Sequence, residues 1–309
     1  MSDMPLGTFA ESTHRAARRR GSRAAARVAI PLWVGAMTAV TTPATATTVG
    51  PLVELIPGRS TASLGNPAIA WDVFEEVYVI VWEDDRTSGN NGDIYLARLD
   101  PNLDSTTMLA DGTFSLLDTD GIGVLPPAEQ GATERNPVIA YGETEAEFVI
   151  AWAETPSGGS TNIRAARYTV GNSPQAAIDV TSTTDPVRAP SIVWENDQYL
   201  IAYETLPPTF TPVVQGRRAN NLLDGFLDAS PVTLDGGGGA RDPALTGVGG
   251  NFFVTWWTDQ GNIEARTVPA TGTIPAPSVT TIGPSGDAQR TQGIGPVGAG
   301  QGSIPWEQQ

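Results

Sequence analysis

Cysteine and lysine are absent from this 309-residue chain, and its single histidine, His14, stands near the start. Without cysteine there is no disulfide, no thiolate nucleophile and no thiolate metal ligand. Without lysine there is no Schiff base, and all 18 basic residues are arginine. Beyond residue 14 the chain has no imidazole, which excludes a Ser-His-Asp triad, a Cys-His pair and a histidine-ligated metal. Helical periodicity is missing after residue 46. Carboxylate chemistry remains, and glycoside hydrolysis is its main form.

The first 46 residues differ from the rest. Arg15, Arg18, Arg19, Arg20, Arg23 and Arg27 make a basic start, Val28 to Val40 an apolar stretch, and Ala44-Thr45-Ala46 a small-residue site. That order is the pattern of a secretory signal peptide, with cleavage expected after Ala46 and export of the remainder to the periplasm, cell surface or medium. The apolar stretch is shorter than the roughly 20 residues that a bilayer span needs, so no membrane span is expected. Residues 47–309 then carry 12 arginines against 32 carboxylates, a net charge of −20. Such a surface repels nucleic acid and anionic lipid, favours solubility and is compatible with calcium.

Within 47–309 the sequence restarts at a fixed interval. Pro137, Pro190, Pro243 and Pro296 stand 53 residues apart, and an earlier copy opens at Pro67. A period of this size marks a stacked array of one supersecondary unit. Each proline opens a short β-branched run that leads to an aromatic-rich one: Tyr78 to Trp82, Phe148 to Trp152, Tyr199 to Tyr203, Phe252 to Trp256, and Ser303 to Trp306. A third run ends in arginine at Arg98, Arg167, Arg218 and Arg266, and a fourth short run follows. Four short antiparallel strands per repeat describe a propeller blade, with the proline expected at the first residue of the first strand, where a missing amide is harmless. The expected fold is all-β: a β-propeller of about five blades, four complete repeats and a partial fifth, in one domain over 47–309. Pro51–Ile56 reads as a lone outer strand, and Trp306–Gln309 ends in mid-pattern. The fifth blade is therefore expected either to be three-stranded, shared between the two ends of the chain, or to belong to a truncated or incompletely closed ring.

Alternating strand directions place the loop before the first strand and the turn after the second on one edge of the array. Arg135, Arg188 and Arg241 lie two residues before their prolines, and Glu83, Glu154, Glu204 and Glu307 follow the second-strand aromatic. One expectation pairs each arginine with its own blade's carboxylate, Arg135 with Glu154 and Arg188 with Glu204. The other makes the arginines and carboxylates a ligand-binding face that attracts an anionic ligand. The column Trp82, Trp152, Tyr203, Trp256 and Trp306 is expected in the blade-to-blade core, whereas Trp257 points to the other side of its strand and is the candidate for exposure. Asp100, Asn102 and Asp104 alternate like calcium ligands but lack the glycine and closing glutamate of a calcium loop, so they read as a solvated acidic loop. No cofactor is otherwise expected. Gly293-Ile-Gly-Pro-Val-Gly298 fits a dinucleotide fingerprint but precedes no helix, and it reads as a glycine-rich loop.

These repeats, with Pro-x-hydrophobic-x, then aromatic-x-hydrophobic-x-Trp-Glu, then Asp/Asn-Ile-x-x-x-Arg, resemble those of exported bacterial β-propeller-repeat proteins, most of which have no assigned activity. Arg241-Asp242-Pro243 followed by Phe252 to Trp256 also resembles the blade opening of five-bladed glycosidases, where an aspartate before proline is catalytic. The corresponding positions in the other blades are Asn66, Asn136, Ala189 and Gly295. Two readings follow: a non-catalytic, monomeric, exported propeller that binds a protein or a glycan, or a glycoside hydrolase that uses Asp242 with Glu204 or Glu154.

Overall fold

A computed structural model describes residues 64–84, 92–99, 115–116, 132–282 apart from 171, 173, 210 and 238, and the short pieces 288–291, 295–296, 302–303 and 306–308. The expected leader and Pro51–Ile56 lie outside these residues, as does the acidic segment with Asp100, Asn102 and Asp104. Among the described residues every regular element is a strand, and no helix is long and apolar enough to cross a membrane.

Blade 1 comprises β1 (Leu64–Asp72), β2 (Val77–Asp84), β3 (Asp93–Leu99) and β4 (Ser115–Leu116). Blade 2 comprises β5 (Thr133–Gly142), β6 (Glu147–Thr155), β7 (Asn162–Tyr168) and β8 (Ile178–Asp179). Blade 3 has β9 (Val187–Glu195), β10 (Gln198–Thr205), β11 (Val213–Asn220) and β12 (Val232–Thr233). Blade 4 has β13 (Ala240–Val248), β14 (Asn251–Thr258), β15 (Ile263–Pro269) and β16 (Thr280–Thr281). Each is a four-stranded antiparallel meander, and the first strands of consecutive sheets lie side by side, as blades do around an axis. In the fifth repeat β17 (Ala288–Thr291) pairs with β20 (Trp306–Gln308), and β18 (Gly295–Pro296) with β19 (Gly302–Ser303). β17 and β18 lie against blade 4, and among the described residues the sheets do not close into a complete ring.

Strand alternation gives each sheet two unlike faces. Phe148, Ile150 and Trp152 on one face of β6 pack against Val79, Val81, Ile94 and Leu96 of blade 1. Val149, Ala151 and Ala153 on its other face meet Tyr199, Ile201 and Tyr203 of blade 3. Leu200 and Ala202 then receive Phe252, Val254 and Trp256 of blade 4. An aromatic face therefore always fills the small-residue face of the blade before it. The second-strand aromatics Trp82, Trp152, Tyr203 and Trp256 are all buried, as expected. The Trp306 side chain lies outside the description.

The prolines are not at the strand starts. β1, β5, β9 and β13 begin three or four residues earlier, and their register with the second strand slips across Asn66-Pro67, Asn136-Pro137, Ala189-Pro190 and Asp242-Pro243. Each blade thus carries a bulge, whose unpaired residues remove the need for the amide that proline lacks. The first bulge residue has left-handed φ in all four blades: 47° at Asn66, 54° at Asn136, 49° at Ala189 and 45° at Asp242. Asn and Asp tolerate that region; Ala does not.

Third-strand arginines fasten neighbouring blades. Arg218 is buried, pairs with Asp228 at 2.7 Å, and donates to the carbonyls of Pro269, Ala270 and Gly272 in blade 4. Arg167 donates in the same way to the Leu222 carbonyl of blade 3.

Two stability predictions follow from this wiring. Ala189→Gly relieves the left-handed strain and raises Tm by about 2–4 °C, the equivalent of ~1 kcal/mol; a lower Tm would contradict the bulge. Arg218→Met strands the buried Asp228 carboxylate and lowers stability by about 3–5 kcal/mol in urea unfolding, more than any exposed arginine does.

Candidate functional site

The bulges aim polar side chains at one edge of the sheets, where the second strands end. Glu83 and Glu204 come one residue after their aromatic, on the side of the strand opposite to it. Glu83 accepts from Asn66 Nδ2 at 2.7 Å and from the Asn136 amide of blade 2. Arg135 reaches it at 3.5 Å. Gly92 lies under that arginine, and a Cβ there would collide with its guanidinium. Glu204 is 1% exposed and accepts from Arg188 Nε at 3.0 Å and Nη2 at 2.6 Å. Arg241 of blade 4 approaches the same carboxylate at 3.5 Å.

Glu154 does not belong to this group. It follows Trp152 by two residues, shares that residue's side of the strand, and is buried against Arg164 at 3.0 Å. Arg135, expected to pair with Glu154, crosses to the preceding blade's Glu83, and Glu154 takes Arg164. The residue opposite Arg135 in the ladder is Ala153, so Glu154 belongs to the other face of the sheet. The Arg188–Glu204 pair is present as expected. The arginines thus join blades as well as serving their own.

Blade 4 departs from the others at the same edge. Where blade 1 has Asn66 donating to Glu83, blade 4 has Asp242 accepting from the Trp257 indole N–H at 2.9 Å. Donor and acceptor are exchanged between the bulge and the ladder position, and the contact survives. Arg241 lies over the Trp257 ring, with its guanidinium carbon 5.6 Å from the centroid. It also donates through Nε to Asp259 at 2.7 Å, and that bond holds the guanidinium above its ordinary pKa against partial burial. Trp257 is half-buried, and the Arg188 side chain is 55% exposed. Arg188, Arg241, Asp242, Trp257 and Asp259 therefore form one shoulder at blades 3 and 4, with an indole surface beside guanidinium donors.

Asp259 and the Asp242–Trp257 bond were not legible as a site. The tandem Trp256-Trp257, in which one ring is buried and the other half-buried, was the available signal. Among the described residues no group of three acidic or histidine side chains could hold a metal.

No protein-family model matches the sequence, and no curated protein matches it. Several solved structures resemble the chain. An exo-β-1,3-galactanase from Clostridium thermocellum is 14% identical, with TM-score 0.49, over 78% of this chain and 53% of that one. An α-L-arabinanase from Penicillium chrysogenum is 12% identical, with TM-score 0.46, over 66% of this chain and 64% of that one. A Hadza microbial sialidase is 10% identical, with TM-score 0.48, over 69% of this chain and 46% of that one. The chain spans about half the length of the galactanase and the sialidase.

The two partners of the 188–204 pair are expected to differ in weight. Glu204→Ala removes a buried acceptor with charge-assisted hydrogen bonds and lowers stability by about 1.5–3 kcal/mol. Arg188→Ala removes a mostly exposed partner and costs about 0–1 kcal/mol. Urea unfolding of both variants tests this, and the reverse order would refute the assignment of Glu204 as the buried anchor.

Proposed function

We propose that the protein is an exported propeller that binds carbohydrate at the blade 3–blade 4 shoulder without cleaving it. The observation that carries this reading is Trp257: a half-buried indole, fixed through its N–H by Asp242 and flanked by Arg241, beside the exposed Arg188. An aromatic surface with a few convergent donors suits a sugar ring, whose faces are apolar and whose rim carries hydroxyls. Blade 4 departs from the repeat at this point, and departures from a repeat are where a site distinct from the scaffold belongs. The carboxylates at this edge are engaged: Glu204 by two arginines, Asp259 by Arg241 and Asp242 by the indole. The reading includes export, from the leader pattern in residues 1–46.

A second reading, glycoside hydrolysis, rests on one observation. Asp242 is the only carboxylate among the four described bulge residues, and it sits in left-handed backbone of the kind found at strained functional positions. Hydrolysis requires a partner carboxyl at about 5–10 Å that can hold or give up a proton. Glu204 lies buried between arginines, and Glu154 is turned to the other side of its strand onto Arg164.

One experiment separates the two readings. Wild type, Trp257→Ala and Asp242→Asn are screened on a glycan array and assayed for hydrolysis of the glycans that bind. Binding without turnover is expected, with a loss of tenfold or more in Trp257→Ala. Asp242→Asn keeps an oxygen for the indole and should change affinity by less than about threefold. Turnover that Asp242→Asn abolishes establishes the hydrolase instead, and binding unaffected by Trp257→Ala removes the shoulder from the site.

A further inference from the structure

The opposite edge of the blades, where first strand turns into second, carries a second polar feature at the junction of blades 2 and 3. The corresponding junction of blades 1 and 2 shows one way in which this position is completed. There the buried carboxylate of Asp72, the last residue of β1, accepts from the Tyr141 hydroxyl of blade 2 at 2.7 Å.

One blade further on, the same positions hold different residues. The position of Asp72 is taken by Gly142 and that of Tyr141 by Trp194. The carboxylate is gone, and the indole N–H of Trp194 is buried with no acceptor among the described residues. Tyr199 stands where blade 2 has Phe148, so this junction gains a hydroxyl; it too is buried and has no hydrogen-bond partner among the described residues. Both side chains crowd Gly142: a Cβ there would collide with the Tyr199 hydroxyl and lie 3.2 Å from Trp194 Cδ1. The ladder partner of Gly142 is Glu147, which is 2% exposed. Its Oε2 lies 3.0 Å from Arg167 Nε, while its Oε1 has no hydrogen-bond partner among the described residues. Burial raises the Tyr199 phenol pKa, and the Glu147 carboxylate is near enough to raise it further.

These three atoms are chemically complementary to one small group. The indole N–H donates, the phenol donates or accepts, and the carboxylate oxygen accepts. A hydroxyl can accept from the first two and donate to the third, and about three hydrogen bonds is what a buried water makes. A carboxylate or phosphate ligand would instead meet Glu147 charge against charge. We propose that the blade 2–blade 3 junction binds a single hydroxyl group, from a water or from a sugar or polyol, between Trp194 Nε1, the Tyr199 hydroxyl and Glu147 Oε1. This site lies on the edge opposite to Trp257 and does not depend on the shoulder being a glycan site.

Tyr199→Phe is the decisive variant, because it deletes the hydroxyl and keeps the ring. A bridged hydroxyl loses a hydrogen bond, so Tm falls by 3 °C or more; an orphaned one gains from its removal, so Tm stays or rises. Glu147→Gln, which keeps an acceptor oxygen, should fall less than Glu147→Leu. The indole N–H resonance of Trp194, assigned by Trp194→Phe, reports the source. A saturable shift on adding glycerol or methyl β-glucoside, absent in Tyr199→Phe, assigns a polyol or sugar. No shift, together with slow solvent exchange of that N–H, assigns a water. An unchanged or higher Tm in Tyr199→Phe, or an indole N–H that exchanges as fast as an exposed one, overturns the proposal.

Discussion

Each sheet of this protein has two faces that cannot substitute for each other, and the rest of the structure follows from that inequality. The face bearing Phe148, Ile150 and Trp152 is too bulky to pack on a copy of itself, whereas Val149, Ala151 and Ala153 leave a depression that only a bulky face fills. Interiors pack to crystal-like density, so bulky-on-shallow is the one stacking without voids. The blades therefore succeed one another in a single direction. A one-residue slip of any second strand would exchange its faces and spoil two junctions at once.

The polar contacts at both edges serve this stacking, and they use the backbone wherever they can. Glu83 accepts the Asn136 amide, Glu195 accepts the Gly250 amide at 2.7 Å, and Arg218 donates to three carbonyls of blade 4. In each case one partner is a main-chain group, present whatever side chain occupies the position. A junction built this way needs one residue type per blade rather than a matched pair. That explains how the repeats keep their spacing while their side chains diverge. At the junction of blades 2 and 3 the turn edge lacks the side-chain acceptor that Asp72 supplies one blade earlier, since Gly142 stands in its place.

Most of the fold was legible because its signals are periodic. The prolines recur every 53 residues from Pro137 onward, the aromatic-x-hydrophobic-x-aromatic runs and the third-strand arginines recur once in each of the first four repeats, and each marks a strand that the structure contains. The prolines nevertheless marked bulges inside strands rather than strand starts. A missing amide is equally harmless in both places, so composition alone does not separate them. The candidate site was legible in its membership but not in its pairing. Arg188 and Glu204 face each other across the ladder, and their pairing follows from register within one blade. Arg135 stands beside a bulge and reaches Glu83 of the preceding blade, and Glu154, one residue further along on the other side of its strand, takes Arg164. Contacts between blades depend on how sheets are placed in space, and no spacing along the chain encodes that.

Symmetry also limits where specificity can reside. An array of equal blades presents the same group several times at equal distances from its axis, and a small ligand at one blade cannot distinguish that blade from the next. Discrimination requires the repeat to be broken, and it is broken at paired positions rather than singly. The bulge residue and its ladder neighbour read Asn66 with Glu83, Asn136 with Ala153, Ala189 with Glu204, and Asp242 with Trp257. Only the first and last of these pairs hydrogen-bond within the blade, and they do so with donor and acceptor exchanged. An unpaired substitution at either position would have left a buried carboxylate or a half-buried indole without this partner. The exchange keeps the bulge intact and replaces a carboxylate at the edge with an aromatic ring. Blade 4 thereby acquires a surface that no other described blade has, at no loss of the contact that holds its first strand in register.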